Sequence, residues 1–280
     1  MASNLIVARG AAEITPPISL AFWRWLLAFF ILFLFTHKEI LKKTIFIKKE
    51  FFSLFFLGAT SAGICGAFPF IAGHTTTVIN MGIIYSSSPV FIIIFSYLLF
   101  SIKLKIIQTF GLILSIIGVL TIIAKGNFGY LLNLKFSLGD FWILGASISW
   151  AIYSVYQIKI KSEFTVFSRV TLIAFFGCIS LFPFLFIEKY YFFSNKFSLT
   201  FIFWVSFAAI SPSIIAFFLY ANLQKFVGAN IAGLVVYLYP VYGAIYGYFL
   251  FNEQLKFYHL IGTTLIFFGI VLSNNFKKHW

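Results

Sequence analysis

Charge is scarce in this sequence, and negative charge is the scarcest. Only 7 of the 280 residues are Asp or Glu, and 10% are charged in total, whereas about a quarter of a soluble domain is charged. Hydrophobic residues make up 61% of the chain, and the mean hydropathy is +1.02. No soluble fold of this length could bury so much apolar side chain. The solvent around most of it is therefore predicted to be lipid.

The few side chains that could do chemistry are poorly arranged for it. Cys65 and Cys178 lie inside apolar runs and have neither disulfide nor metal spacing. His74, His259 and Glu253 lie at the ends of runs, and no run contains a Ser-His-Asp set or a pair of carboxylates. The sequence therefore predicts no enzyme, no cofactor and no bound metal. The same lack of a buried relay disfavours strict coupling to protons.

The net charge of +13 comes from Lys and Arg in short gaps between apolar runs. This pattern is typical of positive-inside loops and not of a nucleic-acid-binding arm. If the loop Lys38–Lys49 is cytoplasmic, twelve Lys fall on the cytoplasmic side and five on the other. We therefore predict the lipid bilayer as partner, no nucleic acid, and a multi-pass protein of the inner (plasma) membrane with a cytoplasmic C-terminus.

Apolar runs long enough to cross a membrane recur along the chain, and none shows the period-2 alternation of a barrel strand. They are Ile18–Phe35, Phe51–Phe70, Thr77–Phe100, Leu104–Ile123, Gly139–Ile158, Val166–Ile187, Leu199–Ala221, Ala229–Phe251 and Phe257–Ser273. A further run, Met1–Ala12, spans only about half of the bilayer core. The predicted fold class is an all-α membrane protein of ten transmembrane helices, the first truncated.

The strongest pattern is an internal repeat at a constant offset of 151 residues, with about eleven identities over about 38 positions. The identities include Pro89-Val90 with Pro240-Val241, Leu104-Lys105 with Leu255-Lys256, Gly111 with Gly262, and Gly118 with Gly269. We predict two five-helix repeats, 1–124 and 139–274. Because five is odd, the second repeat enters the membrane from the opposite side. Such inverted repeats are typical of transporters that work by alternating access.

At these residues the chain resembles the EamA family of the drug/metabolite transporter superfamily. The family motifs occur in order over nearly the whole chain: Ala2-Ser3-Asn4, Pro17 to Arg24, Pro89, Gly111 to Gly118, Gly139-Asp140, Ser149-Trp150-Ala151, Pro240, Asn252-Glu253 and Gly262 to Gly269. The chain departs from the pattern at Ser101-Ile102, where the family usually has Glu. Met1 aligns with Trp150, so the cytoplasmic half of the first helix is predicted to be missing.

The resemblance implies a transporter of small metabolites, namely amino-acid-like, nucleobase-like or amphiphilic solutes, which it would export by alternating access of the two inverted repeats. The predicted partner is thus a small-molecule substrate, and the predicted assembly is a monomer or a homodimer. The alternatives are a remnant that no longer transports and a membrane-embedded enzyme. The second alternative conflicts with the absence of a catalytic constellation described above.

Arg24 lies seven residues into the second run, where a guanidinium is costly unless it faces protein or water. One interpretation is that it binds a carboxylate-bearing substrate through its bidentate fork. The other is that it caps a neighbouring helix end or snorkels to the interface near Pro16-Pro17. For Arg9, an i,i+4 pair with Glu13 is the expected partner.

The prolines of the fourth and ninth runs free a backbone carbonyl inside a predicted helix, so they either line a central cavity as hinges or form packing kinks. Polar side chains beside them, including Ser86 and Ser87, are candidates for the lining. Aromatic candidates could stack on a planar substrate or pack in the core. The predicted cavity residues are Arg24, Trp25, Asn4, Asn80, Tyr85, Ser88, Pro89, Trp150, Tyr153, Tyr237, Tyr239 and Pro240. Asp140 is predicted to cap the sixth helix.

Overall fold

The computed structural model describes residues 2–12, 15–76, 78–124, 126–127, 129, 137–191, 198–242, 245 and 256–274. Over these ranges the chain is helical and contains no strand. The helices are α1 Ser3–Gly10, α2 Pro17–Lys42, α3 Thr44–Lys49, α4 Phe51–Gly58, α5 Cys65–Ala72, α6 Val78–Tyr85, α7 Ser88–Phe100, α8 Ile106–Ile123, α9 Leu138–Lys159, α10 Val166–Tyr191, α11 Leu199–Ala208, α12 Ala216–Gly233 and α13 Phe257–Asn274.

Five of the described helical segments are long and apolar enough to cross a membrane. They are Pro17–Lys42, Phe51–Ala72, Leu138–Lys159, Val166–Glu188 and Leu199–Tyr242. The last has 44 residues and is interrupted at Gly228. The φ angle of Gly228 is +81°, a value that glycine adopts readily and that strains other residues. Shorter apolar helices cover Ser88–Phe100, Ile106–Ile122 and Phe257–Leu272. The molecule is a multi-pass membrane protein built from helices.

Two of these long segments contain a π-helical stretch that was not predicted from the sequence. Ala59–Ile64 joins α4 to α5, and Ala209–Ile215 joins α11 to α12. The two stretches lie about 151 residues apart, which is the offset of the sequence repeat. A π-bulge leaves part of the i→i−4 ladder unmade and occurs most often near functional sites.

The fourth apolar run is not one helix, as the sequence predicted, but two. It breaks at Ser86 and Ser87, between α6 and α7. The Ser86, Ser87 and Ser88 hydroxyls donate to the carbonyls of Gly82, Ile84 and Tyr85 at 2.7, 2.6 and 2.6 Å. These bonds satisfy carbonyl groups at the end of α6 that have lost their helical partners.

Pro89 is therefore not an interior kink, which corrects the prediction. It occupies the first turn of α7, where a missing N–H costs nothing. Pro240 likewise follows backbone that is not α-helical, since the 3₁₀ helix Leu234–Leu238 ends just before it. Both prolines thus follow a departure from α-helical geometry at the same position of the repeat.

Helices α8 and α13 pack closely through glycines. A Cβ at Gly118 would lie 2.7 Å from the Gly262 carbonyl oxygen, and one at Gly269 would lie 2.5 Å from the Gly111 carbonyl oxygen. Only glycine permits backbones to approach this closely. Since Gly118 meets Gly262 and Gly111 meets Gly269, the two helices run antiparallel. The two Gly-x₆-Gly motifs of the repeat therefore pack against each other.

Helices α2 and α10 are also antiparallel, and each supplies a carboxylate to the other's N-terminus. Glu188 accepts hydrogen bonds from the Ile18 N–H, the Ser19 N–H and the Ser19 hydroxyl, each at 2.6 Å. Glu39 accepts from the Thr165 N–H at 3.0 Å and from the Thr165 hydroxyl at 2.6 Å. Carboxylates stabilise helix N-termini because unpaired N–H groups and the helix dipole are both positive there. We call this arrangement the carboxylate exchange.

The carboxylate exchange defines two ends of the bundle. At the end that contains Glu39, Glu50 accepts from Ser162 at 2.7 Å, and Lys159 lies over the Phe100 ring at 5.4 Å. We call this the Lys-rich end. At the opposite end, Asp140 accepts from the Ser137 N–H at 2.6 Å and from the Thr76 hydroxyl. The predicted capping role of Asp140 is confirmed.

Candidate functional site

Arg24 lies on α2 and is only 3% exposed, so it does not snorkel to the interface. Its Nη1 donates to Asn4 Oδ1 at 2.6 Å, and its Nη2 donates to the Gly66 carbonyl at 3.2 Å. The guanidinium carbon lies 4.7 Å from the Phe70 ring centroid and 5.2 Å from that of Trp25. The charge of Arg24 is therefore compensated by polar and aromatic groups of the protein itself.

Gly66 makes this arrangement possible, because a Cβ there would lie 2.9 Å from Trp25 Nε1 and 3.1 Å from Arg24 Nη2. Gly66 is in the first turn of α5, directly after the π-helical stretch Ala59–Ile64. The change of helical geometry there precedes the carbonyl that Arg24 meets. Arg24, Trp25 and Asn4 thus form one contact group.

The aromatic candidates from the two halves meet at Phe217 of α12. Its ring centroid lies 4.8 Å from that of Trp25 and 5.4 Å from that of Trp150. Tyr153 and Tyr220 complete the group, at 5.2 and 4.8 Å from Trp150. We call these five residues the aromatic cluster. Phe217 and Tyr220 were missed from the sequence because one Phe or Tyr among 41 Phe and 14 Tyr carries no signal.

A second pair of predicted residues lies beside α5. The Tyr85 and Tyr239 rings stack with centroids 5.2 Å apart and planes 15° apart. The Tyr85 hydroxyl and Cys65 Sγ are 2.8 Å apart, and both groups are buried. Ser88 is hydrogen-bonded to Ser147 of α9 at 2.9 Å. These contacts join the broken fourth run to α5, to α9 and to the residue before Pro240.

Other predicted residues are placed elsewhere or cannot be described. Tyr237 is 1% exposed, but it packs with Val119, Ile122 and Ile266 in a separate hydrophobic cluster. Pro89 is buried, and Pro240 is half-buried. The side chain of Asn80 and the whole of Glu13 lie outside the described residues, so the Arg9–Glu13 pair stays a prediction. Arg9 itself donates to the Gly73 carbonyl at 3.1 Å.

Several buried polar atoms around the aromatic cluster have no hydrogen-bond partner. Three of them are Arg24 Nε, Trp25 Nε1 and the Tyr153 hydroxyl. Buried polar groups in proteins are nearly always hydrogen-bonded, so an unpaired set marks a place where a ligand or water can bind. Since two of the three atoms can only donate, the arrangement suits a ligand with acceptor groups and a planar face.

Over the described ranges, the fold brings neither cysteine together with a second cysteine nor a set of metal ligands together. Cys65 and Cys178 are free and buried. Among the residues that the structure describes, no group of three or more His, Cys, Asp or Glu could hold a metal ion. The polar atoms that converge around the aromatic cluster are those of an arginine, two tryptophans and tyrosines.

Comparison with known sequences agrees with the family resemblance described under the sequence analysis. The profile of the EamA-like transporter family matches residues 1–124 and 137–275. An uncharacterized transporter of Archaeoglobus fulgidus is 26% identical over 282 residues, covering 99% of this chain and 93% of the relative. The uncharacterized transporter YyaM of Bacillus subtilis is 26% identical over 264 residues, covering 92% and 84%.

Comparison with solved structures supports the same fold. A crystal structure that is 16% identical in sequence superimposes with a TM-score of 0.71, covering 98% of this chain and 92% of that one. At this level of identity the likeness concerns the fold alone. The helical architecture described above is therefore one that an experimentally determined protein also adopts.

Proposed function

Because the chain belongs to the EamA-like transporter family, we propose that it carries small metabolites across the plasma membrane by alternating access of two inverted five-helix halves. The observation that carries this proposal is the antiparallel pairing of equivalent helices. Helix α2 pairs with α10 through the carboxylate exchange, and α8 pairs with α13 through the glycine motifs. Halves related in this way can rock against each other around a central site.

The substrate site that we propose is the aromatic cluster together with Arg24, Asn4, Tyr85 and Tyr239. The cluster combines Trp25 of the first half with Trp150, Tyr153 and Phe217 of the second, so a solute bound there would contact both halves. The side chains pack on one another and are buried, which corresponds to a closed centre. Suitable substrates are amino-acid-like, nucleobase-like or amphiphilic solutes that offer a planar face and acceptor atoms.

We place the Lys-rich end in the cytoplasm, which makes the C-terminus cytoplasmic as well. The loops after α2 and after α9 meet at this end through Lys43, whose Nζ donates to the Glu163 carbonyl. Their Lys side chains therefore gather on one face, as positive-inside loops do. With this orientation the direction of transport that we propose is outward.

Uptake and efflux in proteoliposomes test the proposal directly. Vesicles with the purified chain would be loaded with labelled amino acids, nucleobases or amphiphilic amines, and the initial rate of loss would be compared with that of empty vesicles. We expect saturable efflux of at least one class. If no class moves faster than in empty vesicles, although the protein is inserted and folded, the transport proposal is wrong.

A matched pair of variants tests the location of the site. Phe217→Ala removes the ring that joins the two halves of the aromatic cluster. Phe226→Ala removes the same ring from a 76% exposed position of the same helix. We expect the first to raise the half-saturation concentration about tenfold or more, corresponding to a loss of about 1.4 kcal/mol, and the second to leave it unchanged. Equal effects of the two would place the site elsewhere.

A further inference from the structure

A cavity of about 270 Å³ lies at the Lys-rich end, between the end of α9, the start of α10 and the middle of α12. The side chains that give it polar character are Gln157, Ser162, Arg169, Gln224 and Lys225. Lys225 is exposed, whereas Arg169 and Gln224 are buried. The cavity therefore has a mouth at Lys225 and a polar floor. Its volume is just below the roughly 300–1,000 Å³ of pockets for drug-sized ligands.

Arg169 on this floor has a buried guanidinium that is only partly hydrogen-bonded. It is 9% exposed, and its Nε and Nη2 have no hydrogen-bond partner. No ion pair involves it among the residues that the structure describes. Unpaired buried charge is costly, so a site of this kind is stable only with a counter-charge or water in the cavity.

Two carboxylates near the cavity, those of Glu50 and Glu39, already accept hydrogen bonds from other groups. Glu50 accepts from the Ser162 hydroxyl at 2.7 Å and from the Glu163 N–H at 2.9 Å. Glu39 is occupied by the carboxylate exchange with Thr165. No acidic residue is present among the described residues that line the cavity. The two cations Arg169 and Lys225 thus face a cavity whose described lining contains no carboxylate.

Two glutamine side chains place hydrogen-bond acceptors beside Arg169 in the cavity. Gln157 Oε1 and Gln224 Oε1 are buried and have no partner. Gln224 Nε2 is held by the Ser154 carbonyl at 2.9 Å, and the Ser154 hydroxyl is 2.9 Å from the Tyr220 hydroxyl. Because Tyr220 belongs to the aromatic cluster, one layer of side chains separates the cavity from the proposed substrate site.

We infer that this cavity binds a small carboxylate-bearing solute from the cytoplasm, with Arg169 as the residue that takes the carboxylate. A guanidinium presents two parallel N–H donors that match the two oxygens of a carboxylate. Lys225 at the mouth attracts the anion, and the two glutamine oxygens accept from donor groups elsewhere on the solute. The inference rests on the proposed function, because it treats the cavity as the cytoplasmic approach to the aromatic cluster that lies one layer of side chains away.

Binding to the full chain in lipid nanodiscs tests the inference separately from transport. The probes are acetate, succinate and glutamate, with inorganic phosphate and anionic phospholipid as the competing sources of negative charge. The variants are Arg169→Gln, Arg169→Lys and the control Lys161→Gln. The control removes a positive charge from an exposed residue between α9 and α10 that does not line the cavity.

We expect at least one carboxylate to bind the wild type and Lys161→Gln with similar affinity, to bind Arg169→Lys more weakly, and to bind Arg169→Gln at least tenfold more weakly. Unchanged binding by Arg169→Gln, loss of binding in Lys161→Gln as well, or binding of phosphate or anionic lipid alone would overturn the inference. Carboxylate binding without flux of any solute would refute the transport proposal and leave the site standing.

A chemical-modification measurement on the wild type tests the role of Arg169 without any variant. The chain has three Arg residues, Arg9, Arg24 and Arg169, and a dicarbonyl reagent can modify each one. We expect the carboxylate that binds to slow modification of Arg169, as read by peptide mass spectrometry, and to leave that of Arg9 unchanged. Equal rates at Arg169 with and without that carboxylate would contradict the inference even if Arg169→Gln does not fold.

Discussion

Arg24 and Arg169 are both buried arginines on long antiparallel helices, yet their surroundings differ sharply. Arg24 has the Asn4 oxygen, the Gly66 carbonyl and the faces of Phe70 and Trp25 around it. Arg169 has two nitrogens without partners and a cavity in front of them. The protein thus compensates most of the Arg24 charge and leaves only Nε unpaired, whereas two nitrogens of Arg169 are left for a ligand.

The difference extends to the two ends of the bundle. At the end of α10 opposite to Arg169, Glu188 is 4% exposed and accepts hydrogen bonds from the N-terminus of α2. At the Lys-rich end, the Glu39 side chain is 22% exposed and also pairs with Lys43 at 3.0 Å. The first end is closed by buried polar contacts, and the second is open to solvent.

The largest effect concerns which end faces the cytoplasm, because the labelling of a residue from outside is all or none. In a Cys65→Ala/Cys178→Ala background, we expect an impermeant maleimide to label His74→Cys on intact cells and to leave Lys48→Cys unlabelled. Both positions are exposed. Lysed cells provide the control, where both should react. The opposite pattern would place the Lys-rich end outside.

The next largest effect separates the two arginines by stability. Arg24→Leu leaves the acceptors of Asn4 and Gly66 buried and unpaired, so we expect it to lower the free energy of unfolding by about 2–5 kcal/mol. Arg169→Leu removes a charge that has no partner, so it should leave stability unchanged or raise it. Thermal unfolding of both variants in ligand-free detergent is the measurement. Equal losses would mean that Arg169 has structural partners after all.

A smaller effect compares the two carboxylates of the exchange. Glu188→Gln replaces one acceptor oxygen by a donor against buried N–H groups, and we expect it to cost about 2 kcal/mol. Glu39→Gln makes the same change where water can substitute, so about 1 kcal/mol is expected. Each variant is the control for the other in chemical unfolding. A larger cost at Glu39 would contradict the assignment of the closed end.

The smallest effect tests the contact between α1 and Arg24. Asn4→Ala removes the acceptor of Arg24 Nη1 but leaves the Gly66 carbonyl and the aromatic faces in place. We expect a loss of about 1 kcal/mol. Asn222→Ala is the matched control, since Asn222 donates only to the Phe218 carbonyl of its own helix at 2.8 Å. Should the two variants lose the same stability, Asn4 would not be the residue that compensates Arg24.

Much of the fold could be predicted because hydropathy is a local property. The runs Ile18–Phe35, Gly139–Ile158 and Val166–Ile187 lie within α2, α9 and α10. The family resemblance rested on motif order, and it is confirmed by the profile match. The division of the run Thr77–Phe100 was missed, because three serine hydroxyls can end a helix only through contacts that hydropathy does not report.

What the sequence by itself determined is the class of molecule: a helical membrane protein of a transporter family, with an internal sequence repeat. Each of these conclusions depends on composition, run length or spacing along the chain. Only the tertiary structure decided which polar groups meet. It paired Arg24 with Asn4 and left Arg169, which the sequence did not single out, facing a cavity, because a side chain's partners come from helices that are distant in sequence and are brought together only by packing.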